Sequence, residues 1–332
     1  MYEANPKRYD EMKYNYCGES GLKLPALSVG LWQNFGVNDD YDSMKEIILT
    51  AFDNGVTHFD LANNYGPEPG RAEINFGKIF KENLKPHRDE IIISTKAGYE
   101  MWQGPYGGRG GTRKYLMASL DQSLNRMGLD YVDIFYHHCM TPETPLDETA
   151  LCLSDIVRQG KSLYVGISNY NGKKMHKMHH KCEDFNAPFI INQNRYSIFD
   201  REIERNDLKK TAVKKGKGII AFSPLAQGLL SDKYANGIPE NTRLYNNKRL
   251  EEKLNYDTRA PQVKKLYDFA HDRGMTLSQL AIKWVLKDSD ITSVLVGVHS
   301  KEQLLENLNA LKFDDLTAGE LKEIDKITDY KK

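Results

Sequence analysis

A short apolar run rich in β-branched residues, a turn, a stretch with helical spacing of its apolar positions, then another such run: this unit repeats almost to the C-terminus of the chain. The runs fall at 27–32, 56–61, 91–95, 132–137, 163–168, 189–193, 218–222 and 292–297. The segments between them include amphipathic helices at 42–54, closed by Gly55, and at 114–127, opened by Thr112 as N-cap and closed by Gly128. Several runs are apolar throughout, as strands buried on both faces are. Eight such strands, each followed by a helix, predict a closed (β/α)₈ TIM barrel. Ahead of the repeat, 13–17 and 22–24 flank Glu19-Ser20-Gly21 and predict a β-hairpin that plugs the barrel floor. Two connections, 98–113 and 224–261, are long enough to carry function.

A length of 332 residues fits one such barrel as a single domain spanning 1–332. Lys plus Arg and Asp plus Glu both total 46, which gives no pull toward nucleic acid or an anionic membrane and leaves a small metabolite as the expected partner. No apolar run reaches the roughly 18 residues of a membrane span. The opening MYEANPKRYDEMKYNY lacks the apolar stretch of a secretory signal, so a soluble, cytoplasmic protein is expected. Cys17, Cys139, Cys152 and Cys182 form no C-x-x-C pair and read as reduced thiols. No dinucleotide fingerprint or Walker sequence follows a strand, and GGRGG at 107–111 has the spacing of a flexible loop.

In a barrel of this kind the active site forms at the C-terminal ends of the strands. Those ends carry Asp60, then Tyr65 in the following loop, Lys96, His137-His138, Ser168-Asn169, Gln193 and Ser223. A strand reading IIIST has little reason to end in lysine unless a carboxylate waits there, because an unpaired buried charge is costly. The combination fits proton donation to a carbonyl. Tyr65 is the expected acid, Lys96 lowers the phenol's pKa, Asp60 holds Lys96, and His138 hydrogen-bonds the substrate oxygen. Adjacent strand residues face opposite ways, and the preceding YVDIFY pattern makes His138 the functional histidine and His137 its packing neighbour. Trp32, Tyr99, Trp102 and Tyr106 are expected to wall the substrate pocket, with Arg109 and Arg113 near enough to hold a phosphate or carboxylate.

FDLANNYG, STKAGY, YVDIFYHH, GISNY, FSPLAQGLLSDKY and VLVGVHSKEQLLENLNAL together resemble the aldo-keto reductase superfamily, in the family's order and over the whole chain. The resemblance implies an NADPH-dependent reductase, with NAD as a weaker alternative, whose catalytic residues fall on Asp60, Tyr65, Lys96 and His138. It places the nicotinamide end of the cofactor on Trp32, Asp60, Ser168, Asn169, Gln193 and Phe222. The pyrophosphate falls to Ser223, Leu225, Gln227, Lys233 and Arg243, and the adenosine end to Gly297, His299, Gln303, Glu306 and Asn307. LPALSVGLWQNFG and STKAGYEMWQGPYGG are most similar to bacterial L-glyceraldehyde-3-phosphate reductases, relatives of potassium-channel β-subunits. That branch implies short aldehydes such as glyceraldehyde 3-phosphate and methylglyoxal as substrates and a homo-oligomer, tetramer or octamer. Two departures stand out: Cys139-Met140 where many relatives carry arginine, and His299-Ser300 in place of a serine-arginine pair near the adenosine phosphate.

Three other readings compete. Channel β-subunits keep the barrel as a binding module, but typically carry asparagine at the position of His138. A metal-dependent hydrolase would use His58, Asp60, Lys96, His137 and His138 near the strand ends, but His58-Phe59-Asp60 supplies only half of the H-x-H pair such enzymes use. An aldolase would need Lys96 neutral as a Schiff-base nucleophile, which Asp60 opposes.

Overall fold

A computed structural model of the chain describes residues 2–240 and 242–330. An antiparallel pair, β1 (Tyr14–Tyr16) and β2 (Lys23–Pro25), precedes eight parallel strands: β3 (Leu27–Gly30), β4 (His58–Asp60), β5 (Ile92–Ala97), β6 (Val132–His137), β7 (Ser162–Ser168), β8 (Ile191–Arg195), β9 (Gly218–Phe222) and β10 (Ser293–Val296). These close in chain order, β10 returning to β3, into the expected (β/α)₈ barrel. Each strand is flanked by helices, whose apolar faces and the outward faces of the strands form the larger core.

The hairpin seals the floor. Tyr14 pairs with Pro25 and Tyr16 with Lys23, and Cys17 and Leu24 are fully buried against Ile134, Tyr136, Ile191 and Ile220 inside the barrel. The inward Tyr136 ring is accommodated because the neighbouring strand has glycine opposite it: a Cβ on Gly166 would lie 2.5 Å from that ring. Helix ends follow the capping chemistry. Thr112 accepts from the Tyr115 amide at the start of helix Arg113–Met127, and Gly128 ends it at φ 67°. Asp40 caps helix Tyr41–Asp53, and Gly55 follows at φ 80°.

The strand ends differ from the sequence expectation in a way that shapes the rim. β3 stops at Gly30, which leaves Trp32 on a loop. β5 runs on to Ala97 because Lys96 and Ala97 still pair with Tyr136 and His137. β8 runs on to Arg195, which pairs with Phe222 of β9, and this added length lifts an arginine to the rim.

Candidate active site

The barrel interior carries a chain of polar contacts rising to the rim. Ser293 and Ser28 hydroxyls lie 2.7 Å apart, Ser28 Oγ meets His58 Nδ1 at 2.9 Å, and His58 Nε2 meets Ser94 Oγ at 2.9 Å. Ser94 then donates to Asp60 Oδ1 at 2.7 Å. Burial pushes the His58 imidazole down to about 4, so it is neutral and acts as one donor and one acceptor between two hydroxyls. Gln193 Nε2 donates to the same Asp60 oxygen at 3.1 Å. The other Asp60 oxygen accepts from Lys96, whose ammonium also donates to the Leu61 carbonyl at 2.6 Å. Both charged side chains are fully buried. Burial draws the Lys96 ammonium below its usual value, with the attraction of Asp60 and Glu73 opposing.

Tyr65 and His138 stand above this pair. The Lys96 ammonium lies 4.7 Å from the Tyr65 ring centre, and the His138 ring is edge-on to Tyr65 at 5.9 Å. Tyr99 packs edge-on against His138 at 4.7 Å, its carbonyl fixed by the Tyr115 hydroxyl. His138 Nδ1 has no hydrogen-bond partner among the described residues. The lowering of the Tyr65 pKa expected from Lys96 is not what the structure gives. Burial first, then the negative Asp60 and the Tyr99 phenol, push it well above the tyrosine range, because desolvation outweighs a cation already matched to a carboxylate. Burial and Lys96 hold His138 well below the usual histidine range, so it is neutral. His137 points the other way, its Nδ1 2.6 Å from the Tyr170 hydroxyl, as strand alternation predicts.

A cleft of about 730 Å³ opens over these residues. Asp60, Tyr65, His138, Asn169, Gln193 and Trp32 line one part of it, and Phe222, Ser223, Leu225, Gln227, Lys233 and Arg243 another. Gly297, His299 and Gln303 line the remaining part, at the start of helix Lys301–Asn309. In the loop after β9, Ser223, Ala226 and Gln227 adopt φ of 56°, 48° and 60°; such strained non-glycine backbone clusters at ligand clamps. Asn307, expected at the adenosine end, is not among the residues that line the cleft; it is fully buried behind Gln303 on the same helix, with neither amide atom hydrogen-bonded among the described residues. A dinucleotide fits this donor set: amides at one end, two cations in the middle, and a helix N-terminus at the other.

Not every expected residue faces the cleft. Ser168 lies beneath it, donating to the Gln193 carbonyl at 3.0 Å, while Asn169 reaches over to the His138 carbonyl at 3.1 Å. Glu306 turns away to accept from the Thr276 hydroxyl at 2.7 Å. Of the aromatic wall, Tyr99 and Trp32 line the cleft, but Trp102 packs on Tyr115 at 5.2 Å and Tyr106 is 60% exposed outside it. Arg113 is tied to Asp155 and its amide to Glu148, whereas Arg109 lies over Tyr99 at 5.3 Å and donates to Cys139 Sγ at 3.2 Å. Sequence reasoning missed Arg195, which lines the cleft 5.8 Å from the Phe222 ring; its signal was the polar Gln193-Asn194-Arg195 ending of β8.

Two residues that the rival readings need, His58 and Lys96, are otherwise engaged. Both His58 nitrogens are taken by serines, and the Lys96 amine by Asp60 and Leu61. The sequence profile of the Aldo/keto reductase family matches residues 26–329. Two proteins named L-glyceraldehyde 3-phosphate reductase, from Escherichia coli O157:H7 and Escherichia coli strain K12, are each 50% identical over 329 residues, covering 98% of this chain and 95% of theirs. A protein of Schizosaccharomyces pombe, named as a candidate voltage-gated potassium channel subunit beta, is 33% identical over 326 residues, covering 96% of this chain and 93% of its own. With the barrel, the buried Asp60 and Lys96 pair and the cleft above it, these similarities lead to one statement: the chain belongs to the aldo/keto reductase family of oxidoreductases.

Proposed function

We propose that this protein reduces short aldehydes, glyceraldehyde 3-phosphate and methylglyoxal among them, to alcohols with NADPH, and that Tyr65 is the general acid. The observation that carries the reading is the Tyr65 phenol beside His138 at the mouth of a cleft whose base is the buried Lys96 and Asp60 pair. A bound nicotinamide supplies the hydride. Neutral His138 holds the carbonyl oxygen by a hydrogen bond, and Tyr65 passes its hydroxyl proton to that oxygen as negative charge builds there. A phenol held well above its usual range stays protonated until the oxygen becomes more basic than itself, so proton transfer follows charge development. Lys96 then faces the incipient phenolate, and Asp60, fixed by Ser94 and Gln193, keeps the ammonium in place. The four cysteines are free and buried, which suits a reducing compartment such as the cytoplasm. A turnover screen of short aldehydes with NADPH and NADH in parallel tests the reading; absence of turnover with either cofactor on every aldehyde ends it.

The groups near the adenosine end support only a modest preference for NADPH. Lys301 is paired with Glu46 at 3.1 Å, Ser300 caps its helix, and His299 is locked to Gln303. An exposed cation contributes about 0.2–1 kcal/mol, so kcat/KM with NADPH should exceed that with NADH by a factor of about 1.4 to 5. Equal or better kcat/KM with NADH would remove the phosphate preference.

For a phosphorylated aldehyde the cations are Arg195, in the cleft wall, and Arg109, over the Tyr99 ring; burial raises the Tyr99 phenol's pKa, and both arginines are near enough to oppose that rise. Charge-assisted hydrogen bonds of this kind are worth about 1.5–3 kcal/mol. Arg195→Ala should therefore raise KM for glyceraldehyde 3-phosphate at least about tenfold and leave methylglyoxal nearly unchanged. Arg113→Ala should change neither, since Arg113 is spent on Asp155. Equal losses on both substrates in Arg195→Ala would mean that a disturbed rim, and no lost phosphate contact, is responsible.

A further inference from the structure

On the outer surface, the helix Gly172–Asp184 carries MHKMHHKCED over its last turns, and helical spacing sets His176, His179, His180 and Glu183 on one side. His179 Nε2 lies 3.2 Å from Glu183 Oε1, and His180 Nδ1 lies 3.2 Å from Glu183 Oε2. The three donor atoms all lie within 4.8 Å of one another, and this is the one group of three or more His, Cys, Asp or Glu ligands so placed among the described residues. His176 packs edge-on to His180 at 4.7 Å, at the border of the group.

The geometry points to a binding site for a divalent transition-metal ion of the zinc class, held by His179, His180 and Glu183 and completed by water. Bonds of about 2.0–2.2 Å to imidazole and carboxylate would be reached by sub-ångström adjustment of donors already this close. Two nitrogens and a carboxylate select zinc or copper over magnesium and calcium, which take oxygen. His179 is 7% exposed and its ring sits edge-on to Phe189 at 6.4 Å, so one ligand is already fixed. His180 and Glu183 are about half exposed, at 52% and 51%, which gives the ion a way in. Lys217, whose ammonium lies 5.5 Å from the Phe189 ring, repels a cation and keeps the affinity moderate. The helix begins next to Asn169 of the cleft and the site lies at its far end, so the ion would staple the closing turns of the helix and leave the reaction alone.

Tag-free full-length protein, stripped with chelator, should take up one equivalent of zinc in equilibrium dialysis at micromolar zinc chloride. Its melting temperature should rise with zinc and not with magnesium, since the ion binds the folded helix alone. His180→Ala and Glu183→Gln, both on the surface, should bind zinc at least about tenfold more weakly and lose the melting shift. Both should keep parental turnover and the parental melting temperature without zinc, which shows that they are folded. No zinc retained by the parent would overturn the site, and so would parental zinc affinity in both variants, which would put the ion elsewhere on the chain.

Discussion

Replacing Tyr65 with phenylalanine is expected to lower kcat at least about a hundredfold while leaving the fold and cofactor binding near parental values. The substitution removes one hydroxyl and keeps the ring that packs against Trp32 at 6.5 Å and His138 at 5.9 Å. The loop stays in place, since the Tyr65 amide donates to the Ala62 carbonyl whatever the side chain. His138 cannot take over, because burial and Lys96 keep it neutral and well below the usual histidine range, with little proton to give. The measurements are kcat on a short aldehyde, cofactor quenching of protein fluorescence, and a melting curve. Turnover within a few-fold of the parent would take the proton from another donor and end the role of Tyr65.

Lys96→Ala should damage both activity and stability. Lys96 and Asp60 are each fully buried, and loss of the ammonium leaves the carboxylate with only the Ser94 and Gln193 donors. Breaking one side of a buried pair typically costs about 3–5 kcal/mol. The denaturation midpoint should fall accordingly, with turnover lost. Lys96→Met combined with Asp60→Asn removes both charges at similar volume, and should recover much of the stability but none of the activity, because the tyrosine then has no cation behind it. Urea titrations of the parent, single and double variants separate these effects. A single variant within about 1 kcal/mol of the parent would show that water reaches Asp60 and that the pair is not sealed.

The barrel was legible because alternation of strand and helix needs no tertiary information, and capping residues such as Thr112 and Gly128 mark helix ends by local chemistry alone. Asp60, Lys96 and His138 were legible as rim residues because each is chemically odd at the end of an apolar run. What escaped depended on where loops turn and how deeply groups are buried. Tyr99 and Trp102 belong to one loop, yet one faces the cleft and the other Tyr115, and nothing local separates them. Arg109 and Arg113 diverge likewise, since Asp155, forty-two positions on from Arg113, decides the second. Arg195 was hidden by a strand expected to end two residues too soon. The Tyr65 phenol went the other way from expectation because a sequence shows neighbouring charge but not desolvation.

The serine and histidine contacts that run from Ser293 through Ser28, His58 and Ser94 to Asp60 anchor the reactive centre from the floor side of the barrel. Tyr99 and Trp32, which line the cleft, and Arg109, which lies over the Tyr99 ring, hang instead from the loops above. The buried Asp60 and Lys96 pair and the groups on the loops, Tyr65 among them, are thus mounted on separate parts of the scaffold. Loop segments other than the one that bears Tyr65 should be exchangeable between relatives to retarget the barrel to new carbonyl compounds, whereas trading an inward serine of the lower layers for an apolar residue should weaken the support of Asp60 whatever the carbonyl compound.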